Sequence, residues 1–197
     1  MKRYRQLCGV ARALDVVGER WSLLIVRELL LGPRRYGELL RDLEGLTTNL
    51  LAKRLKDLAA AGVVQRVTDG YGLTEQGRGL EPAVLALGAW GLAHGSSPQD
   101  GDRGQPRWAM LALKRRYQQP SGKAVVAMQV GGSSFGLRVG GEALEIADGA
   151  PAFSDAQIVL AASDFFAVFR MNADFDATAQ IQGDEKAIAR FREALGV

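Results

Sequence analysis

The chain has 197 residues, of which 47% are hydrophobic and 24% charged, which excludes general disorder and provides length for one large domain or two of about 100 residues. A single cysteine, Cys8, and a single histidine, His94, exclude an internal disulfide and the usual Cys/His zinc clusters, so neither a metal nor another cofactor is expected. The net charge of +3 is unevenly spread: residues 1–95 hold 14 Lys+Arg against 10 Asp+Glu, residues 96–197 hold 11 against 12, and the excess points the first half toward a polyanion.

The basic start, Met1 to Arg5, is followed by Arg12, Asp15, Glu19 and Arg20. These charges interrupt any secretory leader, and a cytoplasmic protein is expected. Leu7, Val10, Ala11, Leu14 and Val17 predict a first helix ended by Gly18. Trp21, Leu24, Ile25, Leu29 and Leu30 predict a second, stopped at Gly32-Pro33. Pro33 opens a short third helix with Tyr36, Leu39, Leu40 and Leu43, and places Arg34 and Arg35 at its positive end. Two cations there fit either a solvated helix start or contact with a phosphate.

Thr47 is a good N-cap for a fourth helix reaching Ala61, with Leu51, Leu55 and Leu58 as its buried seam and Gly62 as its stop. Its other face carries Thr48, Asn49, Ala52, Lys53 and Lys56. That order suits a groove-reading helix, because short polar groups meet base edges while longer cations reach phosphates. Any amphipathic helix also has a polar face, so the neighbouring elements decide. Val63 to Val67, Thr68-Asp69-Gly70 and Tyr71 to Thr74 predict a β-hairpin. Three helices, a polar-faced helix and a hairpin make a winged helix-turn-helix, with Arg66, Thr68 and Tyr71 on the wing. A further helix from Glu75 to about Ala93 carries Leu80, Val84, Leu87 and Gly91 as a stripe beside Trp90. Its uncharged stretch, Pro82 to Ala93, is too short for a membrane span. The first and last helices offer more apolar face than so small a domain can bury, and a homodimer is the expected outlet.

The stretches Leu7 to Trp21, Arg27 to Leu39, Leu50 to Leu58 and Leu73-Thr74-Glu75-Gln76-Gly77 together resemble the HxlR-type transcriptional regulators, dimeric winged-helix proteins distantly related to the MarR group. The resemblance covers about residues 5–95. It implies binding to double-stranded DNA at an inverted-repeat operator, repression or activation with repression as the primary reading, and dimerisation through the terminal helices. Arg34, Arg35, Thr47 and Lys56 are then expected on phosphates, Thr48, Asn49 and Lys53 on bases, and Arg66 and Tyr71 beside the backbone or minor groove. Gly9 stands where many members carry proline, and the wing is shorter than in many. Cys8 falls where redox- and electrophile-sensing members keep a reactive thiol, and Lys2, Arg3, Arg5 and Arg12 nearby would favour its thiolate; a free cysteine is otherwise a small buried hydrophobe.

From His94 to Arg107 no aliphatic or aromatic side chain occurs, and the stretch rich in Gly, Ser and Pro reads as a linker. The domains are therefore taken as 1–95 and 108–197, with 96–107 between them. Trp108, Met110, Leu111 and Leu113 predict a helix before Lys114-Arg115-Arg116. Strands follow at Ala124 to Val130, around Phe135 to Val139, at Leu144 to Ile146 and from Ile158 to Ala162. Ser163 to Met171 predicts a helix, Thr178 to Gln182 a strand, and Asp184 caps a last helix holding Ile188, Phe191 and Leu195. With Ala156 to Leu160 ahead of a Phe-rich helix and Ile181 to Phe191 at the end, this α+β pattern resembles the sterol-carrier-protein type-two fold. That resemblance implies an apolar tunnel, for which Phe165, Phe166, Phe169, Met171 and Phe175 are candidate lining residues, and an apolar small-molecule effector. Core packing competes for the same side chains.

No catalytic constellation is present. Gly132-Ser133-Ser134-Phe135-Gly136 matches the nucleophile-elbow spacing but lies between predicted strands, with no later histidine. Asp174 and Asp176 read as helix-start residues. The fold expected is thus a mainly α winged helix-turn-helix domain followed by an α+β sterol-carrier-like domain. The function expected is a non-enzymatic dimeric DNA-binding regulator with apolar-ligand sensing and thiol sensing at Cys8. The alternative is a lipid-binding carrier that uses the winged helix only to dimerise.

Overall fold

A computed structural model describes residues 3–96, 104–171 and 173–197, without the side chains of Arg170 and Met171. Most of the expected linker lies outside these residues. The chain divides between His94 and Gly95 into two compact units.

The first unit opens with α1 (Gly9–Val17), α2 (Ser22–Leu29), α3 (Tyr36–Asp42) and α4 (Thr48–Ala60). Ile25, Val26, Leu39, Leu51, Leu55 and Leu58 form its core and are essentially sealed from water. Burial of such side chains contributes roughly 1.5–3 kcal/mol each, which holds the short helices together where their propensity alone would not. The α1 stripe divides: Ala11 and Val17 are buried, whereas Leu7, Val10 and Leu14 are exposed. Strands β1 (Val64–Val67) and β2 (Gly70–Leu73) pair antiparallel with Arg66 opposite Tyr71. Arg34 adds an isolated bridge to Tyr71, its N–H donating to the Tyr71 carbonyl and Tyr71 N–H to its own, both at 2.9 Å. The backbones approach so closely that a Cβ on Gly70, where φ is +151°, would stand 2.2 Å from the Arg34 carbonyl oxygen, and only glycine fits.

The expected helix from Glu75 to about Ala93 is two elements, α5 (Glu75–Arg78) and α6 (Glu81–His94). Thr74 caps α5 by accepting the Gly77 N–H at 3.0 Å while its hydroxyl donates to the Gly62 carbonyl at 2.5 Å. A continuous helix would require residue 82 to donate to the Arg78 carbonyl, and Pro82 has no N–H. Leu80 and Val84 pack on the core. Beyond them α6 has no buried residue, and Leu87, Trp90 and Leu92 are 52%, 63% and 57% exposed.

The second unit has α7 (Pro106–Arg116), β3 (Ala124–Val130), β4 (Ser133–Val139), β5 (Glu145–Asp148), β6 (Ala156–Leu160), α8 (Ala162–Met171), α9 (Phe175–Thr178), β7 (Gln180–Gly183) and α10 (Glu185–Leu195). The five strands lie in the order β5-β4-β3-β6-β7. All neighbours are antiparallel except the central β3 and β6, whose parallel register sets Val126 beside Ala156 and Val130 beside Leu160. Alternation along β3 and β4 buries Val126, Met128, Phe135 and Leu137, and Met110, Phe165 and Phe191 from the helices of this unit are sealed from water as well. The last strand starts later than Thr178 because Asp174, read from the sequence as a helix-start residue, caps a helical turn that reaches Thr178, accepting the Asp176 and Ala177 N–H groups at 2.9 and 3.3 Å. Ser134 lies within β4, opposite Gln129, and not at a strand-to-helix elbow. No helix of the described residues is long and apolar enough to cross a membrane.

Candidate nucleic-acid interface

Helix α4 begins at Thr47, whose Oγ1 accepts the Leu50 N–H at 3.4 Å. Leu51, Leu55 and Leu58 anchor one side, so the helical period turns Thr48, Asn49, Ala52, Lys53 and Lys56 outward, and all five are exposed. Thr47 is exposed as well. Hydrogen bonds at three places along its length fix this rod. The Tyr36 hydroxyl donates to the Thr48 carbonyl at 2.7 Å and ties the first turn to α3. At mid-helix Arg54 turns inward and donates to the Arg20 carbonyl at 3.1 Å and to Glu19 at 2.5 Å. At the far end the Val63 N–H donates to the Leu58 carbonyl at 2.9 Å.

The remaining candidates separate by partner. The Arg34 guanidinium pairs with Asp42 and lies 3.8 Å from Glu38, with its side chain only 10% exposed. The repulsion expected between two cations and the α3 dipole is thus relieved within the protein, by two carboxylates on the same helix. Arg35 is exposed, and its N–H donates to the Glu38 carboxylate at 2.8 Å. On the wing, the Arg66 guanidinium lies 4.7 Å from the centre of the Tyr71 ring, and the Arg34 bridge fastens Tyr71 to the entrance of α3. The structure therefore groups Arg34, Arg66 and Tyr71 at the hairpin and Thr47, Thr48, Asn49, Lys53 and Lys56 along α4. Sequence reasoning passed over Tyr36 and Arg54. The signal for Arg54 was its spacing, three residues after Leu51 and four before Leu58, on the seam and not on the polar face.

Cys8 is exposed at the N-cap of α1, where its carbonyl accepts the Arg12 N–H at 3.0 Å. Arg3, Arg5 and Arg12 are exposed, and Arg3 lies 4.0 Å from Asp15; Lys2 is outside the described residues. In the second unit Phe165 is buried and Phe166 and Phe169 are half-buried; the Phe165 ring stands 6.0 and 4.8 Å from theirs. Phe175, on α9, is buried, and its ring stands 5.8 Å from that of Phe191. The Met171 side chain lies outside the described residues. An open groove of 280 Å³ in this unit has a different lining, which includes Lys123, Val125, Arg138, Glu145 and Asp155.

A family model described as HxlR-like helix-turn-helix matches residues 16–99. An uncharacterized HTH-type transcriptional regulator of Mycobacterium tuberculosis strain H37Rv is 45% identical over 90 residues, 42% of this chain and 56% of that protein. The chain thus spans 56% of the length of this mycobacterial relative. The HTH-type transcriptional regulator YvaP of Bacillus subtilis is 36% identical over 86 residues, 40% of this chain and 80% of the relative. Among solved structures, the oxidized form of the redox regulator HypR is similar at 33% identity, with 46% of this chain and 100% of that one covered and a TM-score of 0.43.

Proposed function

The chain belongs to the HxlR-like helix-turn-helix family, and on that premise we propose that it is a homodimeric transcriptional regulator that reads an inverted-repeat operator through α4. The observation that carries this reading is the two-sided character of α4: leucines sealed inward, and Thr48, Asn49, Lys53 and Lys56 open. Thr48 and Asn49 suit base edges in the major groove, and Lys53 adds a cation that reaches a base or phosphate. Arg35, Thr47, Lys56 and the wing residue Arg66 serve the phosphates, which position the protein without specifying sequence. Arg34 acts at one remove by holding the α3 entrance. The apolar faces of α1 and α6 support the dimer: Leu7, Val10, Leu87, Trp90 and Leu92 form exposed area of a kind that isolated soluble domains rarely leave open. Repression follows where the operator overlaps a promoter.

The aromatic cluster on α8 supports apolar-ligand sensing by the second unit, read as a sterol-carrier-like module. The exposure of Cys8 at a helix start flanked by arginines supports thiol sensing. Either input regulates only by favouring one spacing of the two recognition helices over another, and B-form DNA selects a spacing near 34 Å. The test is selection of duplexes from a random pool, repeated after addition of extracted cell lipid and after alkylation of the thiol. Enrichment of a two-fold symmetric sequence is expected, weakened by each treatment. Binding of lipid with no duplex retained would favour a carrier and end the regulator reading.

A further inference from the structure

On the leucine side of the recognition helix stands a cation that cannot touch DNA. Arg54 is 8% exposed, yet it is charged, and a buried guanidinium requires acceptors around its whole fork. It has them from two elements. Nε donates to the Arg20 carbonyl at 3.1 Å, Nη2 to the Glu19 carboxylate at 2.5 Å and Nη1 to the Asp57 carboxylate at 3.4 Å. Asp57 belongs to α4 itself, whereas Glu19 and Arg20 form the turn between α1 and α2.

That turn is strained. Trp21, next to the carbonyl that Arg54 grips, has φ of +80°, a left-handed conformation that a bulky side chain rarely adopts. Such a conformation persists where its surroundings over-determine it. The surroundings here are the Ser22 N–H bond to the Glu19 carbonyl at 3.0 Å, the Arg20 guanidinium 5.3 Å from the Trp21 ring, and the Arg54 fork. Gly18 joins the turn to the last residues of α1, its N–H donating to the Leu14 carbonyl at 2.9 Å.

We infer that Arg54 is a positioning residue: it clamps α4 to the α1–α2 turn, so that the angle of the reading face is set by the end of α1. The inference rests on the reading of α4 as the recognition helix. It gives a contiguous physical route from the open α1 face, where a second copy would bind, to the groove-facing residues. Lysine in place of Arg54 keeps the charge but cannot span a backbone carbonyl and two carboxylates with one planar group.

The experiment uses the full chain with Arg54→Lys, and with Glu19→Gln as a milder variant whose altered side chain is 58% exposed. Amide hydrogen exchange is followed in peptides spanning residues 18–25 and 48–60, with the hairpin 63–73 as internal control. Affinity is measured for the duplex the wild type selects and for a scrambled duplex of equal length. Arg54→Lys should speed exchange about tenfold in both segments together and leave the hairpin unchanged. It should also lower the selected-to-scrambled affinity ratio about tenfold while scrambled binding, set by the untouched surface cations, stays within about twofold. Glu19→Gln should move the same two segments less. Unchanged exchange in either segment, uniform acceleration including the hairpin, or equal loss on both duplexes would overturn the clamp. If the wild type discriminates no sequence, the DNA reading fails, and exchange alone decides whether the two segments are joined.

Discussion

Raising monovalent salt while titrating a selected duplex measures how many cations displace counterions, and the proposed interface names them individually. Arg35, Lys53, Lys56 and Arg66 are the exposed cations of the candidate interface, whereas the Arg34 side chain is 10% exposed and already faces Asp42 and Glu38. Four phosphate contacts per protomer correspond to a log–log slope of about −3.6, or about −7 for a dimer. Between about 50 and 200 mM salt a slope of −3.6 weakens binding roughly 150-fold, about 3 kcal/mol. Lys56→Gln removes one contact per protomer and should flatten the dimer slope by about 1.8. Arg34→Gln should leave the slope unaltered and instead lower thermal stability, because the Asp42 carboxylate then loses its buried cation and is left with the exposed Arg41, whose Nε lies 3.2 Å away. Fluorescence anisotropy across a salt series gives both slopes. An Arg34→Gln slope as flat as that of Lys56→Gln, or no flattening by Lys56→Gln, would refute the division of these cations into internal and external.

Leu55→Ala, at a site 2% exposed, should cost about 2–5 kcal/mol in a urea titration. Thr47→Ala, which removes only the cap, should cost about 1 kcal/mol. Equal losses would mean that the leucine seam is not the anchor of α4. Trp90→Asp should shift sedimentation toward the monomer, weakening association by roughly 2 kcal/mol, about 30-fold, if the α6 face is the dimer surface; unchanged sedimentation would place the interface elsewhere. Phe169→Ala should reduce uptake of an apolar fluorescent probe while the fold of the second unit, read by circular dichroism, is retained. Uptake equal to the wild type would assign the α8 cluster to packing alone.

Periodicity and turn chemistry make α4 and the hairpin legible in the sequence. The Leu51, Leu55 and Leu58 spacing orients the rod without reference to anything else, and Asp69-Gly70 marks the turn by local chemistry. What stayed hidden depends on partners distant in sequence. Arg54 reads locally as one more cation in a helix; its burial follows from Glu19 and Arg20, brought to it only when α1, α2 and α4 converge. Arg34 reads as a phosphate ligand until Asp42, two helical turns on, closes over it. The break before α6 was written at Pro82, but the apolar stripe through Leu80, Val84 and Leu87 spoke more strongly for continuity. In the second unit the strands were visible from alternation. Their order was not, because pairing β3 with β6 is a choice among edges that hydrophobic pattern leaves equivalent.

The parallel pair at the centre of the second sheet has a consequence for how the chain matures. Its register closes the segment from Val126 to Ala156 and cannot form until the intervening residues have been synthesised. The sheet edge then waits for Ile181 to meet Ile158, near the carboxyl end of the chain. Helices and a tight hairpin assemble from neighbours, whereas such long closures must lose chain entropy before any contact rewards them. During synthesis the amino-terminal unit can therefore acquire its native form on the ribosome while the carboxyl-terminal sheet is still waiting for its last strand.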